Sequence, residues 1–463
     1  MAPPRCACWL LRFLLLQLAL LLPCSCLAST HQTAAGGEAA LLLKIKSLWG
    51  DPPALAAWNA SAAGVYCDWP RVGCDTAGRV ANLTLASAGI TGLFPNAIGN
   101  LSALTYLNLF NNSIFGAFPT ALYRCTSIQY LDLSYNNLTG ELPPDMGRSL
   151  GENLTTLVLD DNLFSGAIPP SLGSLKGLQT LCLSDNPFDA GELPASFKNL
   201  VNLTIFCAGN CNLVGEFPSS VLEMVELELL DLFNNALTGS IPPRLWSLRK
   251  LQILNLSYNN FTGDVVVDDG NGMAARSLTE MDISSNYKLT GSIPEAFGLL
   301  ENLTLLYLMF NSFSGEIPAS IARLPSLWDL ELSNNQFTGT LPAEFGKHSN
   351  LGYLDVGDNA LTGALPEGLC ARGQFIYFRA DNNHLNGSIP VSLANCATLQ
   401  TLSLNNNQLT GAIPQDFCAG GGQLDYLGAE NNRLNGSIPS GLANCATLRK
   451  LYLSNNQLTG IVP

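Results

Sequence analysis

Between Leu104 and Asn112 the chain reads Leu-x-x-Leu-x-Leu-x-x-Asn, and the same spacing returns at Leu399, Leu402, Leu404 and Asn407. Behind each copy stands a Gly-x-x-Pro tetrad. Sixteen of its glycines fall between Gly92 and Gly460, mostly 24 residues apart, and only Gly263 lacks the proline. After the first repeat, whose ninth position is Ala88, the Asn slot holds Asn in fourteen of fifteen cases and Cys211 in the other. The alternation sets apolar side chains on one face of a short strand and variable ones on the other. A unit of this size cannot bury such a face alone, so successive units must stack and pair their strands into one parallel sheet. The Asn amide can satisfy backbone groups of its own turn and the adjacent one. Gly frees the next turn, and Pro stiffens the far side without donating a hydrogen bond. The pattern predicts about sixteen repeats of 24 residues, and sixteen strands at about 4.8 Å make a curved sheet roughly 70 Å long.

The chain has 463 residues, 47% apolar and 13% charged, with 42 Gly and 26 Pro. That is too apolar for disorder and too punctuated for a helical bundle. The net charge of −14 argues against nucleic acid or an anionic membrane as partner, since both need a basic surface. His31, His348 and His384 are the only histidines, which leaves little for metal or triad chemistry, and no cofactor is expected.

Before the repeats, Arg5 and Arg12 flank an apolar run, Leu10 to Leu22, that ends in small residues near Ala28. This is the make-up of a secretory signal over residues 1–28, too short to span a bilayer comfortably. No long uncharged apolar stretch follows it, so a product ending at Pro463 is expected to be soluble and secreted. Twelve Asn-x-Ser/Thr sequons fit that route. Asn59, Asn82, Asn100, Asn111, Asn137 and Asn153 lie in the first third; Asn202, Asn255, Asn260, Asn302, Asn386 and Asn435 follow. Ten cysteines remain after the signal, in a compartment that permits disulfides.

Several places depart from the template. The repeat at Gly263 runs four residues long; its Asp268, Asp269 and Asn271 fit no calcium loop and read as a surface insertion. Leu369-Cys370 to Pro414 parallels Phe417-Cys418 to Pro463, as if a pair of repeats had been copied. Cys370 and Cys396, and Cys418 and Cys445, are about one repeat apart, so each pair is expected to bridge neighbouring turns. Cys182 and Cys207 share one outward position in adjacent repeats, which suits a bridge and two separate small side chains equally. Cys125 has no evident partner.

These repeats resemble the plant-specific leucine-rich-repeat class, and Glu38 to Cys74 resembles its N-terminal cap. Residues 38–48 read as an amphipathic helix, and Trp58, Cys67-Asp68-Trp69 and Cys74 match the cap's disulfide motif. The resemblance covers residues 38–463 and points to the extracellular half of HAESA-like receptor kinases, peptide-hormone receptors of plants. It implies a leucine-rich-repeat solenoid with a curved parallel β-sheet on the concave face, a 3-10 or irregular convex side, and a helical cap closed by a Cys67–Cys74 disulfide. The divisions expected are a signal peptide over 1–28, a cap over 29–78 and repeats over 79–463. In full-length relatives a C-terminal cap, membrane helix and kinase follow, so the membrane is expected to be reached only through a segment outside this chain.

No nucleophile and base stand in a recognisable motif, and no phosphate loop precedes a helix, so catalysis is not expected. Asp329 and Glu331, two apart on one strand face, read as a solvated acidic stripe rather than a glycosidase pair. The outward positions give Asp231 and Phe233, Glu280 and Asp282, Tyr307 and Phe310, and Trp328 with that acidic pair. Tyr353 and Asp355, then Tyr377 and Arg379, extend the stripe. Aromatic anchors beside carboxylates suit an extended, partly basic peptide. A dozen extended residues reach about 40 Å, close to the span of this stripe.

The resemblance therefore implies a secreted peptide ligand and, as further partner, a shorter leucine-rich-repeat co-receptor kinase. Two features depart from it. Where HAESA-like receptors hold the peptide's C-terminal carboxylate with Arg-x-Arg, this chain has Thr401 and Ser403, with Arg379 or Lys450 as substitutes. A glycan on Asn255 would obstruct one end of the groove. The alternatives are a secreted inhibitor of microbial cell-wall-degrading enzymes and a kinase-less pathogen-recognition receptor-like protein.

Overall fold

The computed structural model describes residues 35–267, 272–418 and 421–462. The expected signal over 1–28 and the insertion residues Asp268, Asp269 and Asn271 lie outside the described residues.

Sixteen strands, from Val80–Thr84 to Lys450–Tyr452, pair in parallel, one per repeat, and Val72–Cys74 adds an antiparallel strand at the N-terminal edge. Neighbouring repeats stay in register: Leu306 pairs with Leu330, Leu330 with Leu354, and Leu354 with Phe378. All four are fully buried, because the middle residue of each strand points into the coil.

The Asn ladder does what the pattern requires. Asn335 Nδ2 donates to the carbonyls of Leu332, Ser333 and, one repeat back, Leu308, while its Oδ1 accepts from the Phe313 amide. One side chain thus satisfies the backbone of a buried turn that water cannot reach. Cys211 fills the slot more weakly, its Sγ lying 3.2 Å from the Leu183 carbonyl.

On the convex side the proline of Gly-x-x-Pro precedes a single helical turn. Most are 3-10, as in Ser219–Glu223 after Pro218 and Glu295–Leu299 after Pro294; Ala319–Ala322 and Val391–Ala394 are α-helical. The template did not announce a second set of strands. The stretch around each Gly pairs sideways into one four-stranded ladder, Thr91–Leu93 to Leu163–Ser165, and five two-stranded ones.

The cap helix spans Ala35–Leu48, starting three residues earlier than the pattern suggests, and buries Ala39, Leu42 and Ile45. Glu38 Oε2 accepts from the Val80 amide, which ties the helix to the first repeat. Trp58 stacks on Trp69 beside the Cys67–Cys74 disulfide. The Cys370–Cys396 and Cys418–Cys445 bridges are both formed.

Candidate functional site

Each concave strand shows two side chains outward, and the register aligns them into two columns. The first runs Ile205, Leu229, Ile253, Glu280, Leu305, Asp329, Tyr353, Tyr377. The second runs Val158, Cys182, Cys207, Asp231, Asn255, Asp282, Tyr307, Glu331, Asp355, Arg379. The sheet changes character along the columns: mostly apolar through the strands at 156–253, interrupted by Thr156, Thr180, Asp231 and Asn255, and acidic and aromatic from 280 to 379.

A cavity of about 380 Å³ opens at the acidic stretch. It brings together nine of the expected residues: Glu280, Asp282, Tyr307, Phe310, Asp329, Glu331, Asp355, Tyr377 and Arg379. Asp231, Phe233, Trp328 and Tyr353 do not line it. Trp328 and Tyr353 instead begin an aromatic run beside it, Trp328 edge-on to Tyr353 and Tyr353 stacked on Tyr377. Phe233 packs edge-on against Tyr258, which lines the wall. Asp231 is buried, its Oδ1 accepting from the Phe233 amide at 3.0 Å. Phe233 and Phe310 are not strand residues; they stand on the turn that leaves the sheet.

The wall also holds Ile253, Leu305, Met309 and Tyr258, which the sequence did not mark. Ile253 and Leu305 are apolar at outward positions and so look like core. Tyr258 had a signal. In the fifteen repeats from Asn111 to Asn455, the residue before the ladder slot takes a left-handed backbone, and eleven of the fifteen are Asn or Asp. These types tolerate it. Tyr135, at φ 53°, Tyr258, at φ 54°, and Phe310, at φ 55°, hold it with bulky rings, and the last two stay exposed at the cavity's mouth. Strain of that kind at a cavity is a pointer to use.

The acidic residues are not the solvated stripe their spacing suggests, because the concave wall takes them out of water. Burial raises the Asp329 carboxyl to about 6, against a hydrogen bond from the Tyr307 hydroxyl at 2.8 Å; its other oxygen is buried without a partner. Burial, then the nearby Asp355 and Asp329 charges, lift Glu331 well above the carboxylate range, opposed only by Arg379. Burial likewise raises Glu280 and Asp282. Glu331, lifted to about 9, holds its proton near neutrality and releases it when a cation arrives, whereas Asp329, at about 6, is mostly ionised there.

Arg379 cannot take a ligand's carboxylate as a free arginine would. Its guanidinium contacts Asp355 at 3.2 Å and Asp381 at 3.2 Å, and pairs with Asp358 as well. Three carboxylates surround its single charge, so Arg379 does not stand in for Arg-x-Arg; Lys450, the other substitute, is exposed on its strand.

Eleven of the sequon asparagines are exposed. Asn255 is the exception: it is 6% exposed, and its Oδ1 accepts from the Ser257 amide and hydroxyl. A glycan cannot be seated there without displacing the side chain, so neither that site nor the expected obstruction stands. No sequon lies between Asn302 and Asn386, the stretch that forms most of the cavity. Among the described residues, no group of three or more His, Cys, Asp or Glu is placed to hold a metal ion, and no helix is long and apolar enough to cross a membrane.

Comparison with known proteins bears on these features. A model of the leucine rich repeat matches residues 78–138, 276–337 and 397–458, and one of the leucine rich repeat N-terminal domain matches 35–75. The ectodomain of the Arabidopsis receptor kinase HAESA, solved with an N-terminally extended IDA peptide hormone, is 32% identical. The match covers 93% of this chain and 75% of that one, with a TM-score of 0.82. HAESA solved with IDA and the co-receptor SERK1 is 31% identical over 92% of this chain and 83% of that one, TM-score 0.78. Polygalacturonase inhibitor 1 of Oryza sativa subsp. japonica is 39% identical over 70 residues, 15% of this chain and 21% of the inhibitor. The chain thus spans about a fifth or less of the curated relatives its sequence matches.

Proposed function

Because the chain belongs to the family of plant leucine-rich-repeat receptor-kinase ectodomains, we propose that it is the recognition part of such a receptor and takes an extended, partly basic secreted peptide along its concave face. Members of this family face the extracellular side, and the chain is extracellular accordingly. The observation that carries the peptide reading is the acid-lined, aromatic-walled cavity at Glu331, in the part of the solenoid free of sequons. A Lys or Arg side chain laid over Tyr307 and Tyr377 reaches the Asp329 carboxylate and the Glu331 carboxyl, which burial keeps protonated. It draws off the Glu331 proton in a medium that screens little, while the rings cover its stem. The Trp328, Tyr353 and Tyr377 run then gives the neighbouring peptide residues a flat apolar track.

By the family's logic a kinase domain follows on the far side of a membrane, and a shorter co-receptor kinase is the further partner; HAESA was solved in complex with IDA and the co-receptor SERK1. Titration of the purified chain with twelve-residue peptides carrying a central Arg, citrulline or Glu tests the reading. Micromolar or tighter binding that needs the Arg supports it; indifference to the central residue sinks it. The likeness to polygalacturonase inhibitor 1 favours a second reading, checked by fungal polygalacturonase activity with and without the chain.

A further inference from the structure

The cavity begins at Ile253, and the concave strands before it hold a pair of thiols. Strands Thr180–Cys182 and Ile205–Cys207 pair in parallel with Cys182 directly opposite Cys207. The two sulfur atoms are 3.0 Å apart, and both residues are buried, in a patch shared with Val158, Ile205 and Leu229. Adjacent strands stand about 4.8 Å apart, inside the Cα separation a disulfide accepts. On the inner face of a curved sheet side chains converge, which brings the two sulfurs closer than a flat sheet would. The three bridges at Cys67–Cys74, Cys370–Cys396 and Cys418–Cys445 show a chain whose cysteines pair where geometry allows.

We propose that Cys182 and Cys207 are a fourth disulfide site, a covalent staple between neighbouring repeats on the concave face. The oxidant is a protein disulfide of the secretory route. One thiolate attacks it to form a mixed disulfide. The second thiolate then displaces the carrier, so one S–S bond forms as the carrier's breaks, and two electrons pass to the carrier, which leaves as a dithiol. Because both sulfurs are buried in the finished sheet, this exchange belongs to folding, before the neighbouring repeats close over them. Once formed, the bridge is shielded from reductant for the same reason. Cys125 and Cys211 are buried singly, with carbonyl oxygens of Ile98 and Leu183 as their contacts, and stay thiols.

The test is peptide mapping of the full chain secreted from eukaryotic cells, alkylated with N-ethylmaleimide in denaturant without reductant. The expected result is alkylation of Cys125 and Cys211, with the Cys182 and Cys207 peptides recovered as one species that separates on reduction. Alkylation of both Cys182 and Cys207, or a bridge from either to Cys211, overturns the proposal. The variant Cys207→Ser supplies a second reading: Cys182 must become fully alkylatable, and if it stays unmodified another partner holds it. Neither measurement depends on peptide binding.

Discussion

Two stretches of one sheet lie end to end on the same backbone and differ only in what they turn outward. Inward, Leu181, Phe206, Leu230 and Leu254 in the first match Met281, Leu306, Leu330 and Leu354 in the second, all fully or almost fully buried. Outward, the first shows Val158, Cys182, Cys207, Ile205 and Leu229 with Thr156, Thr180 and Asp231 among them, and the second shows Glu280, Asp282, Tyr307, Asp329 and Glu331. Folding constrains the inward residues and the ladder, repeat against repeat; it leaves the outward columns free to be a largely apolar floor in one place and a desolvated acidic cavity in another. Chemistry in this molecule is therefore a matter of columns, and the fold alone does not choose it.

The sharpest way to break the comparison is to show that the inward halves are unequal. Leu181→Ala and Leu330→Ala should each cost about 2–5 kcal/mol of stability in urea denaturation. A cost in one stretch and none in the other would mean that the cavity has loosened its own core. Next in size, Glu331→Gln should weaken binding of an Arg-centred peptide by about ten-fold or more, while Val158→Ala in the apolar stretch leaves it unchanged; calorimetry on both variants decides.

Protons sharpen the contrast further. Glu331 binds its proton more tightly folded than unfolded, so the folded chain holds more protons than the unfolded one as the pH rises from about 4.5 toward about 9. Stability falls through that window and is fully recovered below it. Asp329, Asp355 and Asp282 face the same cavity and add to the trend, Arg379 opposes it, and the Tyr307 and Tyr377 hydroxyls stay protonated throughout. Thermal melts at acid and neutral pH should show a smaller loss in Glu331→Gln than in the parent. Peptide binding should run the opposite way and tighten with pH, because the bound cation expels the protons.

Smaller effects separate fold from use. Phe310→Asn should stabilise the chain by about 1 kcal/mol through relief of left-handed strain, and should weaken peptide binding; a loss of stability would assign the ring a packing role instead. Least of all, Asn255→Gln should leave the glycoprotein's mass unchanged apart from the substitution itself, whereas Asn302→Gln should remove a whole glycan if that exposed site is used.

Much of this was legible in the chain because the repeat ties each residue type to one duty. The Leu positions, the Asn slot, the proline before each convex turn and both late disulfides follow from spacing alone. The sideways strands around each Gly did not, since two or three residues carry no periodicity of their own. Asn255 misled because a sequon reads the same whether its amide faces solvent or Ser257. Asp329 and Glu331 misled in the same way: strand spacing gives the face, and only the curvature of the sheet tells how much water that face keeps. Arg379 looked free because its three acids stand 2, 21 and 24 residues away, and only the coil brings them together.

The turn residues beside the ladder have a mechanical consequence. Side-chain amides link Asn455, Asn431, Asn406, Asn382 and Asp358 into one tie rod, and Asn234, Asn210 and Asp185 into another. Between the two rods stand Tyr258, Ser285, Phe310 and Asn334. Across the cavity's mouth the backbone ladder alone runs on through these turns, Tyr258 to Ser284 and Phe310 to Ser333, so the coil is laced there by one thread where the rods on either side supply two.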